Sequence, residues 1–283
     1  MTTVLFLMDK YGIIYKTKTD ITKGNAMNAT LETRDFINTA KIAQFRQQGF
    51  LITESAFNAD ELSALADDMD RLHRENLAAA QASGDERAVE RVKIQRSYEQ
   101  VHEKSAVARD FVRKPVFMEA CRKLVGPDAD LYYCQSVTKP AYRGRYFEWH
   151  QDSGYLVTDP LEYITCWVAL TEATVENGCV WIIPGSHHWG LLEHVREDET
   201  MGKYPGMRAI FNDESGAMPV ELAAGQVVIF SSLLLHKSGP NLSPTLRRGL
   251  VPQYHLPGIK NARTGQPAGD LFPVLRGGQP VVS

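Results

Sequence analysis

The chain lacks the usual marks of a metal-knuckle, membrane-spanning or nucleic-acid-binding protein. Its four cysteines, Cys121, Cys134, Cys166 and Cys179, show no CxxC or other zinc spacing. Three of them fall in apolar strand-like runs where small buried thiols are common, and a reduced cytoplasmic compartment is expected. No stretch approaches the roughly 18 consecutive apolar residues of a membrane span. A net charge of −3 and a pI near 6.3 give no reason to expect a nucleic-acid or membrane-surface partner. Internal repeats and low-complexity tracts are absent too.

What is present is ordinary globular material. Over 283 residues, 43% are hydrophobic and 23% charged, enough for a sizeable core in one large domain or two small ones. Residues 1–34 carry little pattern. Val4-Leu5-Phe6-Leu7-Met8 is too short for a signal-peptide core, and Lys16 to Asn28 is polar. This stretch is expected to be a tail, non-native or disordered, with Met27 a candidate natural start. The other reading is an arm that packs on a partner.

From Asp35 onward a single domain, residues 35–283, is expected. Phe36, Ile37, Ile42 and Phe45 follow helical spacing and Gly49 ends the run. A short strand over Phe50 to Thr53 is next. Asn58 with Glu61 reads as a capping box that opens a helix with a Leu62, Leu65, Met69, Leu72 stripe. Gln81 to Arg91 reads as an exposed connection, and Val107 to Val125 as one more helix closed by Gly126-Pro127. Beyond Asp128 the runs shorten to strand length: 131–137, 164–170, 179–183, 226–230 and 248–254. Asn177-Gly178 is a hairpin signal between two of them. All four Trp lie between 149 and 189 and mark the dense half. Helices followed by many short strands predict a mainly β fold with supporting helices, an antiparallel sandwich of the jelly-roll, cupin-like kind.

The chemistry centres on Trp149-His150-Gln151-Asp152. In a strand, residues i and i+2 share a face, so His150 and Asp152 can converge on one metal ion. Leu233-Leu234-Leu235-His236 offers a second imidazole where an apolar run leaves the core. Two imidazoles and one carboxylate with open positions suit a non-heme Fe(II) oxygenase. His187, His188 and His194 are further imidazoles, but Pro184-Gly185-Ser186 suggests a turn, where His187 serves as a hydrogen-bonding residue. Arg247 follows His236 by eleven residues, room to turn and return on an adjacent strand. Its guanidinium can take a carboxylate through two parallel hydrogen bonds, while Arg248 would point to the opposite face. Three metal ligands plus such an arginine imply a co-substrate that chelates iron at one end and carries a carboxylate at the other. 2-Oxoglutarate has that chemistry.

Trp149-His150-Gln151-Asp152, Glu176-Asn177-Gly178-Cys179 and Ile183-Pro184-Gly185-Ser186-His187 together resemble the phytanoyl-CoA dioxygenase family of Fe(II)/2-oxoglutarate oxygenases. So does His236-x-Ser238-x-x-Asn241-x-Ser243-x-x-x-Arg247. The resemblance runs over about residues 36 to 256, in the family's order and spacing. It implies a double-stranded β-helix with His150, Asp152 and His236 as iron ligands. It also implies that Arg247, helped by Ser238, binds the distal carboxylate of 2-oxoglutarate. Gln135 and Trp167 match pocket-lining positions, and Arg96 matches a basic one. The cofactors implied are Fe(II), 2-oxoglutarate and O2. Halogenating relatives carry a small residue in place of the carboxylate, so Asp152 argues for hydroxylation or desaturation.

The competing expectation is a cupin-like non-oxygenase, a metal-dependent isomerase or a ligand-binding protein. The pairing of the triad with Arg247 separates the two, because a non-oxygenase has no use for a carboxylate clamp at that spacing. A small-molecule substrate is expected, and a polar metabolite is favoured over a lipid by the charged loop from Leu191 to Met218. Arg143 and Arg145 are candidate contacts for an anionic group. Tyr155 and Trp149 are expected to pack around the metal shell. Oligomeric state and the substrate's identity are not written in the sequence.

Overall fold

The computed structural model describes residues 3–8, 14–19, 35–94, 96–142, 146–197, 206–268 and 272–281. The chain forms two units, residues 1–34 and 35–283. In the first, Thr3–Met8 pairs antiparallel with Ile14–Thr19.

The second unit opens with helix α1 (Thr39–Gln48), capped by the Asn38 side chain and ended by Gly49 at φ 83°, a left-handed turn that favours glycine. Strand β1 (Phe50–Ile52) follows directly. Helix α2 (Ala59–Ala82) starts at the Asn58–Glu61 capping box, and its Leu62, Leu65, Met69 and Leu72 stripe is buried. The expected connection over 81–91 is mostly helix. Helix α3 (Glu86–Ile94) begins where the Asp85 carboxylate accepts from the Arg87 and Ala88 amides. The chain breaks at Ser83-Gly84, and charged and aliphatic helix formers then resume a helix. Strand β2 (Arg96–Glu99) and helices α4 (Val101–Lys104), α5 (Ala106–Phe111) and α6 (Pro115–Ala120) come next. The single helix expected over 107–125 is therefore broken. Pro115 cannot continue α5 but fits the first turn of α6.

The strands after Pro127 that build the two main sheets are β3 (Ala129–Lys139), β4 (Phe147–His150), β5 (Ile164–Ala169), β6 (Val180–Ile182) and β7 (Met218–Val220). Then come β8 (Val227–Ser231), β9 (His236–Ser238), β10 (Arg247–His255), β11 (Phe272–Arg276) and β12 (Gln279–Pro280). They form two antiparallel sheets. The larger runs β12-β11-β3-β10-β5-β8-β1 with β2 added on β3, and the smaller runs β7-β6-β9-β4. From β3 to β6, and again from β7 to β10, strands consecutive in sequence alternate between the sheets, as in a jelly roll.

Period-two patterning explains the layers. On β5, Ile164, Cys166 and Val168 turn outward to meet Leu65, Met69 and Phe117 of the helices. Trp167 and Ala169 turn inward to Val180 and Ile182 of the smaller sheet. On β8, Val227 and Ile229 face the helices while Val228 and Phe230 face inward. The Asn177-Gly178 signal does not make a hairpin, because β5 and β6 belong to different sheets. Asn177 accepts from the Thr174 amide and donates to the Glu172 carbonyl, shaping the crossing between them. Among the described residues, no helix is long and apolar enough to cross a membrane.

Candidate metal centre and its cavity

His150 ends β4 and His236 begins β9, and the two are in register across the smaller sheet. Strand β4 stops at His150. Gln151 stays extended at φ −111°, ψ 140°, and Asp152 opens a 3-10 turn, so the same-face relation survives the end of the strand. One ligand atom each from His150, Asp152 and His236 lie within 4.8 Å of one another. Asp152 Oδ1 is 3.9 Å from His150 Nε2 and 3.6 Å from His236 Nε2.

The backbone sets which imidazole nitrogen is available. His150 Nδ1 lies 2.6 Å from the Glu148 carbonyl and His236 Nδ1 3.0 Å from the Leu234 carbonyl. A carbonyl only accepts, so each Nδ1 carries the proton and each Nε2 presents a lone pair toward Asp152. Burial, and secondarily the neighbouring His236 ring, hold His150 well below the ordinary imidazole pKa, which keeps it neutral. Two imidazole nitrogens and a carboxylate oxygen aimed into one space fit a divalent transition metal.

Support comes from residues whose roles were not visible in the sequence. Gln151 is fully buried; its amide donates to the Gly190 and Leu233 carbonyls and its Oε1 accepts from the Leu192 amide. His194 accepts from the Gln151 backbone amide at 3.1 Å, which steadies the link between two of the triad residues from behind. His187 lies 3.2 Å from the Arg46 carbonyl, the hydrogen-bonding turn role expected of it.

The triad opens into a cavity of 490 Å³. Gln135, Trp167, Ser238 and Arg247 are among its lining residues. Arg247 is 1% exposed, and its guanidinium carbon sits 5.0 Å from the Trp167 ring centre. Trp167 lies flat against Gly249, where a Cβ would come within 2.7 Å of the indole. Arg248 points the other way and reaches Asp70 of α2 at 2.6 Å. Lys139, also fully buried and opposite Arg247 in register, donates to Ser238 Oγ at 2.7 Å and to the Gly239 carbonyl. Seven of the eight site residues expected from sequence, all but Arg96, therefore line one cavity. Arg96 begins β2 opposite Thr138, and its side chain lies outside the described residues, as do Arg143 and Arg145.

The lining is also rich in tyrosine: Tyr132, Tyr133, Tyr155 and Tyr163, with Glu99 and Gln253. A bulge causes part of this. Gln253 pairs with Tyr133 and Tyr254 with Leu131, which leaves Tyr132 as the extra residue, and both consecutive tyrosines line the cavity. Burial raises the Tyr133 and Tyr163 phenols above the ordinary range, so they stay neutral hydrogen-bonding groups. Trp149 packs edge-on against Phe211 behind the triad, and Tyr155 stands edge-on to the His150 ring at 5.4 Å.

Comparisons with known proteins agree with this geometry. A family model described as Phytanoyl-CoA dioxygenase (PhyH) matches residues 45–249. An ectoine dioxygenase of Bordetella parapertussis is 25% identical over 238 residues, 78% of this chain and 76% of the relative. The solved structure of the non-heme monooxygenase ThoJ matches with a TM-score of 0.63 at 27% identity over 83% of both chains. EctD from S. alaskensis, solved with 2-oxoglutarate and 5-hydroxyectoine, has a TM-score of 0.57 at 23% identity. It covers 78% of this chain and 76% of its own, and shows the shared fold.

Proposed function

The chain belongs to the phytanoyl-CoA dioxygenase family of iron- and 2-oxoglutarate-dependent oxygenases, and on that premise we propose that it hydroxylates a C–H bond of a small polar metabolite. In this reading His150, Asp152 and His236 hold Fe(II), and Arg247 with Ser238, Gln135 and Trp167 receives 2-oxoglutarate, which leaves as succinate and CO2. Arg96 is assigned to the same pocket. The observation that carries the reading is the pairing of a His-Asp-His cluster, both histidines buried, with a buried arginine in one cavity.

Bound iron with 2-oxoglutarate and O2 supplies the oxidising power. The protein's own contribution is position and dryness. The two Nδ1 hydrogen bonds aim both imidazoles, and Gln151 holds the segment that carries the first two ligands. Arg247 offers a fixed, always-charged fork to a carboxylate. Lys139 donates to Ser238 Oγ, so the hydroxyl proton of Ser238 is left to point at an incoming carboxylate. Phe147, Val180, Phe230 and Val251 line the cavity with apolar surface that keeps water from the reacting centre. The tyrosine wall with Glu99 and Gln253 supports a polar substrate over a lipid chain. The four buried, unpaired cysteines support a reducing compartment, and we place the chain in the cytoplasm.

The test is succinate formation with Fe(II), 2-oxoglutarate and O2, with and without a cell-metabolite extract followed by mass spectrometry. A succinate rise with extract and one metabolite heavier by an oxygen atom supports the proposal. No succinate from folded, iron-loaded protein overturns it in favour of a cupin-like isomerase or binding protein.

A further inference from the structure

Asp152 has two oxygens, and the fold treats them differently. Oδ1 faces the two imidazole nitrogens at 3.9 and 3.6 Å. Oδ2 is turned the other way and accepts a hydrogen bond from Thr165 Oγ1 at 2.5 Å. Thr165 is fully buried on β5, and its own oxygen accepts from the Gln253 side-chain amide on β10 at 3.2 Å. Thr165 and Gln253 are directly paired across these two strands.

The direction of this chain is fixed by chemistry. An amide N–H can only donate, so Gln253 occupies a lone pair of Thr165 Oγ1 and leaves the hydroxyl proton for Asp152. A charge-assisted O–H···O⁻ bond at this length is among the stronger hydrogen bonds in proteins. Carboxylates can bind a divalent cation through one oxygen or both. Two-oxygen binding would fill one of the positions that a two-histidine, one-carboxylate site must leave open. Oδ2 is tied down on the side away from the imidazoles.

We propose that Thr165, oriented by Gln253, is a positioning residue that restricts Asp152 to metal binding through Oδ1 and so keeps a coordination position open. The inference rests on the metal-site reading above. It assigns a role to a threonine inside an apolar strand, where a hydroxyl would otherwise be a packing defect. Serine can make the same bond, whereas valine keeps the shape and loses it.

The experiment uses Co(II) alone as probe, with affinity and visible d–d absorption measured on the full chain without 2-oxoglutarate or O2. Thr165→Val is expected to weaken Co(II) binding by about 10- to 100-fold, the usual size of an outer-shell loss at a metal site. Its absorption should also lose intensity, because a second carboxylate oxygen raises the coordination number. Thr165→Ser should restore both. Gln253→Met should shift both readouts the same way by a smaller factor, and it carries the test if Thr165→Val does not fold. Folded Thr165→Val, or in its place Gln253→Met, with wild-type affinity and spectrum overturns the proposal. Wild-type protein that fails to bind Co(II) overturns the metal-site reading itself.

Discussion

His150 and His236 face each other across adjacent antiparallel strands with ring centres 4.1 Å apart, although a long stretch of chain separates them. The strand register is what brings two distant histidines to one candidate metal site. His236→Ala removes a nitrogen donor and leaves the carboxylate to compete with water for the ion. Calorimetric titration of the metal-free variant with Co(II) should show affinity at least about 100-fold weaker, with circular dichroism unchanged. Wild-type affinity would remove His236 from the site.

Arg247 is held against Trp167 in the lining of the cavity. Arg247→Met keeps much of that packing and removes the charge. A charge-assisted hydrogen bond contributes about 1.5–3 kcal/mol, so the KM for 2-oxoglutarate should rise by roughly 10- to 100-fold. Co(II) affinity should stay near wild type. Initial rates of succinate formation against 2-oxoglutarate concentration measure the first, and an unchanged KM would move the carboxylate site elsewhere.

Gly249 has the Trp167 indole where its side chain would be. Gly249→Ala forces that ring toward the cavity or the strands apart. Overpacking of this kind costs about 1–3 kcal/mol, to be read as a lower urea midpoint. A wild-type midpoint would mean the indole moves freely.

Much of this architecture was legible in the sequence, for a physical reason. The strand runs alternate in ways that water enforces locally, and the Asn58–Glu61 cap is a four-residue signal. The convergence of His150, Asp152, His236 and Arg247 on one cavity was legible because their residue types and spacing carry chemistry. Thr165, Lys139, His194 and Gln253 were not, since a lone polar residue acquires meaning only from what the other sheet or strand places beside it. Asn177-Gly178 misled because a left-handed glycine serves a crossing between sheets as well as a hairpin. Pro115 had the information to divide the helix expected over 107–125, and the apolar periodicity on both sides masked it.

Burial, the largest cause in each case, holds the His102 and His255 rings below the ordinary 6.5. Below pH 6.5 the unfolded chain therefore takes up protons that the folded one excludes. Their contribution is fully present above about pH 6.5 and declines as pH falls toward the folded-state values. The slope is at most about 1.4 kcal/mol per pH unit for each ring. Urea midpoints of the metal-free protein should fall between pH 7.5 and 5.5, and His102→Phe should flatten the decline. A midpoint that rises on acidification would contradict this.

The most direct test of the whole account is anaerobic visible absorption of the protein with Fe(II) and 2-oxoglutarate. The account predicts a metal-to-ligand charge-transfer band that needs both additions, is lost in His236→Ala, and requires more 2-oxoglutarate in Arg247→Met. Folded wild-type protein that gives no band with both present would contradict it.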